Sequence, residues 1–333
     1  MAKPIEAADE TWLMIPFYTD PKSPEFSKHV AKFRGFVDGA KDITGLKLAV
    51  IDDGCGVDNE HLGNAADLLV TIPANRGKAH AIREGLGQLI GDPKHNAGFI
   101  VQYDGDGDQP YDAIPSVQRT LVETAKGDRN NPVLVIGDRY SEGLKTTPNP
   151  ESVVYRQSIL TLFGALAGNL GHDGVRDWVS GARGYTEKYA EEFLKRSRSN
   201  RYGVESDQLI IATLAGAEVK HAPLSDSRPR DPWTLTTKWL ENFDIYDAHR
   251  PELVAAGKGH ILDLVDELRD GLRSGSQEFH LDLDSLGEAT KMRFWRWDNE
   301  RHAAEIPAEY RAKLFVPDAT FPFTLRKDTQ EAS

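Results

Sequence analysis

The sequence predicts an α/β protein, with a sheet of apolar strands covered by helices on both faces and a helical extension after it. Three observations carry this expectation. Short apolar runs alternate with stretches of helical period from residue 12 to residue 136. The runs are apolar on consecutive positions, as strands buried on both faces require. Acidic residues and glycines recur where the runs end, and open α/β sheets bind ligands beyond the carboxyl ends of their strands.

Taken in order, residues 1–10 are polar and read as a loose N-terminus. Trp12-Leu-Met-Ile-Pro16 reads as a first strand, and residues 24–40 as a helix. Residues 46–51 form a second strand that ends in Asp52-Asp53-Gly54, and residues 68–72 a third. Residues 77–90 read as a helix, because Ala79, Ile82, Leu86 and Leu89 fall on one face. Residues 99–103 form the fourth strand, 112–125 a helix and 133–136 the fifth strand.

The second half changes character. Residues 154–168 suit a helix, with Ile159, Leu162, Phe163 and Leu166 at helical spacing. Residues 179–185 form a short strand-like segment bracketed by glycines. Residues 205–215 suit a helix, and 217–222 a strand. The proline- and charge-rich stretch 223–232 reads as a linker or mobile loop. Beyond it Ile261, Leu264, Val265, Leu268 and Leu272 form a helical stripe. The expected organisation is a loose 1–10, a sheet domain over 11–232, a mostly helical extension over 233–325 and a tail over 326–333.

Composition narrows the function classes. The 333 residues are 39% hydrophobic and 28% charged, as in a globular protein. A formal net charge of −12 argues against a general nucleic-acid binder, which needs a basic field. No apolar run reaches the roughly 20 residues that span a bilayer, and the N-terminus lacks the apolar core of a signal peptide. The single cysteine, Cys55, excludes an intramolecular disulfide and fits a reducing, cytoplasmic setting. It reads as a packing residue, not a nucleophile.

The chemistry concentrates in Tyr103-Asp-Gly-Asp-Gly-Asp108, where a buried run ends in three alternating acids. Such a cluster is costly without a cation, and glycines let the backbone approach a ligand closely. A hard divalent ion with a phosphate-bearing substrate is the simplest expectation. An EF-hand register starting at Asp104 fails, because Gln109 and Pro115 stand where that loop needs Gly and Glu.

In order along the chain stand Ile15-Pro-Phe-Tyr18, Val50-Ile-Asp-Asp-Gly54, Asn75-Arg-Gly-Lys-Ala79, Tyr103-Asp-Gly-Asp106, Ile136-Gly-Asp-Arg-Tyr140, Asp177-Trp-Val-Ser-Gly-Ala-Arg-Gly-Tyr185 and Gly203-Val-Glu205. Together they resemble the family-2 glycosyltransferases of the GT-A fold, especially the dolichyl-phosphate-mannose-synthase-like branch. The resemblance runs from about residue 12 to residue 223 and leaves the extension uncovered. It implies a Rossmann-like three-layer sandwich, a nucleotide-sugar donor such as a UDP- or GDP-sugar, and Mg²⁺ or Mn²⁺. It also implies that Pro16 and Tyr18 border the base, that Asp53 contacts it, and that Asp106 is the main metal ligand. That branch often carries Gln two residues further on, where this chain has Asp108. Tyr202-Gly-Val-Glu205 also resembles the retaining glucosyl-phosphoglycerate-synthase-like enzymes, which use a later histidine as a metal ligand; His221 is the nearest here.

Each site residue has a plainer alternative. Asp52 and Asp53 could be turn formers before Gly54. Lys78, at a helix start, is either solvated or a phosphate ligand, and Arg76 stands beside it. Arg139 either pairs with Asp138 or grips a phosphate in bidentate fashion. Ser180, Gly181 and Arg183 form either an acceptor-side wall or a tight packing motif. Asp177 would orient Arg183 or contact the donor sugar. Arg228 and Arg230 are loop cations that could close over a diphosphate.

Glu205 and Asp207 are the candidate general bases for an inverting transfer, or simply acids favoured by a helix N-terminus. Phe294, Trp295 and Trp297 suit docking of the extension, a lid or a homo-oligomer contact. Two other classes compete. A nucleotidyltransferase would need a glycine-rich phosphate loop that Ile15-Pro-Phe-Tyr18 lacks, and a non-catalytic sensor would bind nucleotide-sugar without turning it over. The acceptor, small and soluble or a polyprenyl phosphate, is left open.

Overall fold

The computed structural model of the chain describes residues 8–105, 109–139, 166, 168–172, 177–178, 180–200, 203–224, 236–263 and 265–266. They fall into two compact units, one within residues 1–142 and 179–228, the other within 143–178 and 229–333.

The first unit is built on one seven-stranded sheet in the order β3-β2-β1-β4-β6-β5-β7. Its strands are β1 (Thr11–Phe17), β2 (Lys47–Asp53), β3 (Leu68–Ile72), β4 (Phe99–Gln102), β5 (Val133–Asp138), β6 (Arg183–Thr186) and β7 (Glu218–Pro223). All neighbours pair in parallel except β6, which runs antiparallel between β4 and β5. The α/β class and the strands expected from sequence are present. The direction of β6 is new, since a four-residue strand carries no sequence signal of its polarity.

Alternation along β1 feeds both faces of the sheet. Leu13, Ile15 and Phe17 join one core with Val30, Phe33, Phe36 and Val37 of α1 (Phe26–Thr44) and Ile114, Val117 and Leu121 of α3 (Ile114–Ala125). Met14 turns the other way, to α2 (Lys78–Gly91). A Cβ on Gly85 would lie 2.7 Å from Met14 Sδ and from Ile51 Cδ1, so α2 rests on the sheet where it lacks a side chain. With helices on both faces, the unit has three layers.

Element boundaries shift for identifiable reasons. The helix expected to end at residue 40 continues to Thr44 and stops where Gly45 takes the left-handed conformation (φ 63°), its N–H bonded to Lys41 O. The first turn of the helix expected from residue 112 is a 3-10 turn at Tyr111–Ala113. A helix absent from the sequence reading, α4 (Glu187–Arg196), buries only Tyr189, Ala190 and Phe193. Further helices are α5 (Val204–Ala215), α6 (Thr236–Ala248) and α7 (Arg250–Ala255). Of the helix expected at 154–168, residues 154–165 and 167 lie outside the described residues, as do Leu264, Leu268 and Leu272 of the C-terminal stripe. No helix among the described residues is long and apolar enough to cross a membrane.

β2 outlasts the expected end at residue 51 because its two acids are satisfied by the backbone that follows. Asp52, fully buried, accepts from the N–H groups of Cys55 (2.9 Å), Gly56 (2.9 Å) and Val57 (3.2 Å) and from the Cys55 thiol (2.6 Å). Gly54 at φ 85° carries this turn against Ala74 and Asn75. Burial and the Asp52 carboxylate push the Cys55 thiol up to about 12. A free thiol titrates near 8.5, so at pH 8 iodoacetamide should modify Cys55 roughly a thousandfold more slowly in the folded chain than in urea. Labelling at the free-thiol rate under native conditions would show that the turn opens.

Candidate active site

The sheet fixes where a ligand would lie. From β1 the chain moves outward through α1 to β2 and β3, then returns across the other face through α2 to β4, on the far side of β1. The crevice between the carboxyl ends of β1 and β4 is thus the topological switch point, the usual ligand position in open α/β sheets. Because β6 is antiparallel, its first residue stands at that same edge, and Arg183 pairs in register with Gln102 and Ile136. One reversed strand explains how residues 180–183, distant in sequence, come to the acidic loop.

At the end of β1, Pro16 is half-buried opposite Ile51 and Tyr18 is 48% exposed. At the end of β2, Asp53 is buried, and its two oxygens accept the N–H groups of Arg76 and Gly77, each at 2.8 Å. Gly77, at φ 94°, is the N-cap of α2. The carboxylate of Asp53 therefore fixes the start of the helix and, with it, Lys78.

Lys78 is the centre of the cluster. Its ammonium lies 3.0 Å from Asp104 Oδ2 and 2.9 Å from Glu205 Oε1. Asp104 follows β4, and Glu205 sits in the first turn of α5, 127 residues from Lys78. Burial opposes the ammonium's charge, yet the two carboxylates hold it well above the ordinary lysine range. Burial alone would raise Glu205, but Lys78 and Arg183 outweigh it and hold the carboxyl below its usual range. A helix start and a free cation had suggested phosphate binding. Here Asp53 takes the N–H groups of the two residues that precede α2, and the ammonium faces carboxylates.

Gly181 closes the wall behind Asp104. A Cβ there would stand 1.9 Å from Asp104 Oδ2, so only glycine allows this approach. Around it, Ser180 O accepts from Arg183 Nε (2.9 Å), Ser180 Oγ from Gln109 Nε2 (3.2 Å), and Gly181 O from Gln102 Nε2 (3.2 Å). Arg183 is fully buried. The polar residue closing the buried run Phe-Ile-Val-Gln102 is a signal from which this part of the site could have been found; Gln109 and Gln208 give none.

Asp207 belongs to a different arrangement. Fully buried, its Oδ2 accepts from Ser197 Oγ (2.6 Å), Arg198 N (3.0 Å) and Ser199 N (3.0 Å). It ties down the turn between α4 and α5. Arg139 follows β5 and is half-buried, and His221 stands on β7 opposite Ile136. Asp177 is buried in the second unit. Asp106, Asp108, Arg228 and Arg230 lie outside the described residues, as do Phe294, Trp295 and Trp297.

A divalent ion needs several hard oxygens converging on it. Among the described residues no group of three His, Cys, Asp or Glu side chains is placed to hold one. Asp104, expected as one ligand, already meets an ammonium. The described residues alone do not make a metal site.

No family model matches the chain, and no curated protein matches it. Among solved structures, it is similar to glucosyl-3-phosphoglycerate synthase from Mycobacterium tuberculosis in complex with Mn²⁺, UDP-glucose and glycerol 3-phosphate, at 17% identity and TM-score 0.45, covering 74% of this chain and 82% of that one. The same enzyme with phosphoglyceric acid gives 17% and 0.43, over 76% and 83%. A protein described as a nucleotide-diphospho-sugar transferase, from Desulfovibrio desulfuricans G20, gives 11% and 0.37, over 78% and 97%.

Removing Lys78 should leave two carboxylates facing each other without their cation. The side chains of Lys78 and Asp104 keep 22% and 25% of their exposure. Lys78→Met should therefore cost about 2–3 kcal/mol, below the fully buried range. Adding Glu205→Gln should recover at least about 1 kcal/mol. Urea unfolding of the two variants checks this, and strictly additive losses would show that the ion pair is not coupled.

Proposed function

We propose that the chain is a metal-dependent glycosyltransferase of the GT-A type, moving a sugar from a UDP- or GDP-sugar to an acceptor. The observation that carries this reading is the convergence of Lys78, Asp104 and Glu205 at the carboxyl edge of the sheet. A helix start, a strand end and a second helix start supply one group each. Such a mixed-charge edge, beside the exposed Tyr18, suits a ligand with an aromatic base, a diphosphate and a polyol.

In this reading Pro16 and Tyr18 border the base and Asp53 lies beside it. Arg139, Arg183 and the loop residue Arg228 serve the diphosphate, and Lys78 holds the acids that face the sugar. Asp106 and Asp108, with Asp104 next to them in sequence, are proposed to hold Mg²⁺ or Mn²⁺, which when bound neutralises the diphosphate as it leaves. Glu205 faces the sugar. Asp207 is less suited to take a proton, because its carboxylate is committed to the 197–199 turn. The net charge of −12 supports a small soluble acceptor over a polyprenyl phosphate at an anionic membrane face.

One observation favours a second reading, a retaining transfer. A general base works best with a pKa near the operating pH. Glu205 is held below the usual carboxylate range by Lys78 and Arg183, which suits holding a hydroxyl better than removing a proton.

A thermal-shift panel of UDP-, GDP- and ADP-sugars with and without Mn²⁺ should single out one donor, since a ligand bound only by the native state raises Tm. Asp106→Asn should then abolish metal-dependent transfer while the chain stays folded by circular dichroism. Activity retained at saturating metal, or no shift with any donor, would count against the proposal. The anomeric proton of the product, read by NMR, separates the two stereochemical readings: retention agrees with a Glu205 engaged by Lys78, and inversion with Glu205 or another group acting as base.

A further inference from the structure

Beneath the Lys78 cluster lies a buried polar chain that neither the donor nor the metal reading uses. Gln102 closes β4, Tyr185 is the third residue of β6, and Gln208 stands one turn after Glu205 on α5. All three are at most 1% exposed. Gln208 Nε2 donates to the Tyr185 hydroxyl at 2.6 Å, the Tyr185 O–H donates to Gln102 Oε1, and Gln102 Nε2 donates to Gly181 O at 3.2 Å.

The direction of this chain is fixed by its end. A backbone carbonyl only accepts, so Gln102 must present its NH₂ to Gly181 and its oxygen to Tyr185. The hydroxyl proton is then spent on Gln102, and Tyr185 can only accept from Gln208. Bonds aligned in one sense polarise and strengthen one another in a low-dielectric interior.

Its two ends are the two sides of the ion cluster. Gly181, at one end, is the residue whose α-carbon abuts the Asp104 carboxylate. Gln208, at the other, shares a helix face with Glu205, since residues three apart on a helix are neighbours. Tyr189 O–H also donates to Gln208 O at 2.7 Å and stacks on Tyr185 with ring centroids 5.7 Å apart, so one residue braces both Gln208 and Tyr185. Arg183, Lys78 and Glu205 are all close enough for their charges to bear on the Tyr185 phenol, whose acidity burial suppresses.

We propose that Tyr185, through Gln102 and Gln208, is a positioning residue that sets the separation of Asp104 and Glu205 about Lys78, and thereby the end of the site that receives the sugar. This deepens the glycosyltransferase reading and rests on it for the identity of the ligand.

The test uses the full chain carrying Tyr185→Phe, with Gln208→Met as the second variant should the first not fold. Two measurements are made. In the free protein, hydrogen exchange is followed at residues 180–183 and 204–208. By calorimetry, affinity is measured for UDP-glucose or GDP-mannose, whichever stabilises the wild type more, and for the matching nucleoside diphosphate. Losing one buried bond and stranding its partners should raise exchange at those two segments about tenfold and weaken the nucleotide-sugar about tenfold. The nucleoside diphosphate should bind unchanged.

A rise in exchange spread evenly over the chain, or equal loss for both ligands, would mean that Tyr185 only fills the core, and would overturn the proposal. So would a folded variant with unaltered exchange and unaltered sugar affinity. If the wild type binds no nucleotide-sugar at all, the glycosyltransferase reading falls, and local exchange alone decides whether the relay sets the cluster.

Discussion

The first unit is organised around one ammonium. Lys78 satisfies Asp104 and Glu205 at once, and these acids come from opposite halves of the chain. Two carboxylates held this close would repel, and the low effective dielectric at a partly buried edge makes that repulsion costly. The lysine turns the repulsion into a clasp between β4 and α5. Much of the local sequence serves to aim it. Asp53 holds the turn that leads into α2, Gly77 takes a positive φ that only glycine adopts readily, and Gly181 yields the space that the Asp104 carboxylate occupies.

The paired acids at the end of β2 show how neighbouring identical residues divide their work. Asp52 points into its own turn and is saturated by Cys55, Gly56 and Val57. Asp53, on the other face of the strand, reaches across to residues 76 and 77. Alternation along a strand sends consecutive side chains to opposite faces, so one acid builds the loop after β2 and the other builds the start of α2. The turn-forming interpretation suits Asp52 fully and Asp53 in a long-range sense that no local pattern reveals.

What the sequence made legible follows from the range of each interaction. Strands β1, β2, β4 and β5 were readable because a strand buried on both faces is written as a continuous apolar run, and α2 because its buried face repeats at helical spacing. The direction of β6 was not readable, because polarity is set by which neighbours it pairs with. Helix α4 escaped notice because only Tyr189, Ala190 and Phe193 mark its buried face within a highly charged decapeptide. In the site, Lys78, Asp104 and Glu205 were each singled out, but their mutual pairing spans 127 residues and belongs to tertiary structure alone. Gln102 left a trace as a polar residue in an apolar run. Gln208 left none, since an amide in a helix is ordinary until its partner is known.

The state of Glu205 bears on what this edge can do. A carboxylate gripped by lysine and backed by a buried arginine stays ionised at neutral pH and gives up basicity in exchange for a fixed position. Such a group is suited to accepting a hydrogen bond from a hydroxyl and to balancing positive charge that develops nearby. Proton abstraction calls for the opposite arrangement, a carboxylate destabilised by burial without a cation, so that its pKa climbs toward the working pH. Lys78 removes that option for Glu205, while Asp207 is engaged by Ser197 and the 198–199 backbone. Both acids on α5 are thus set for holding. Any chemistry at this edge would draw its specificity from geometry and fixed charge, which is the property that the buried relay under Glu205 is placed to preserve.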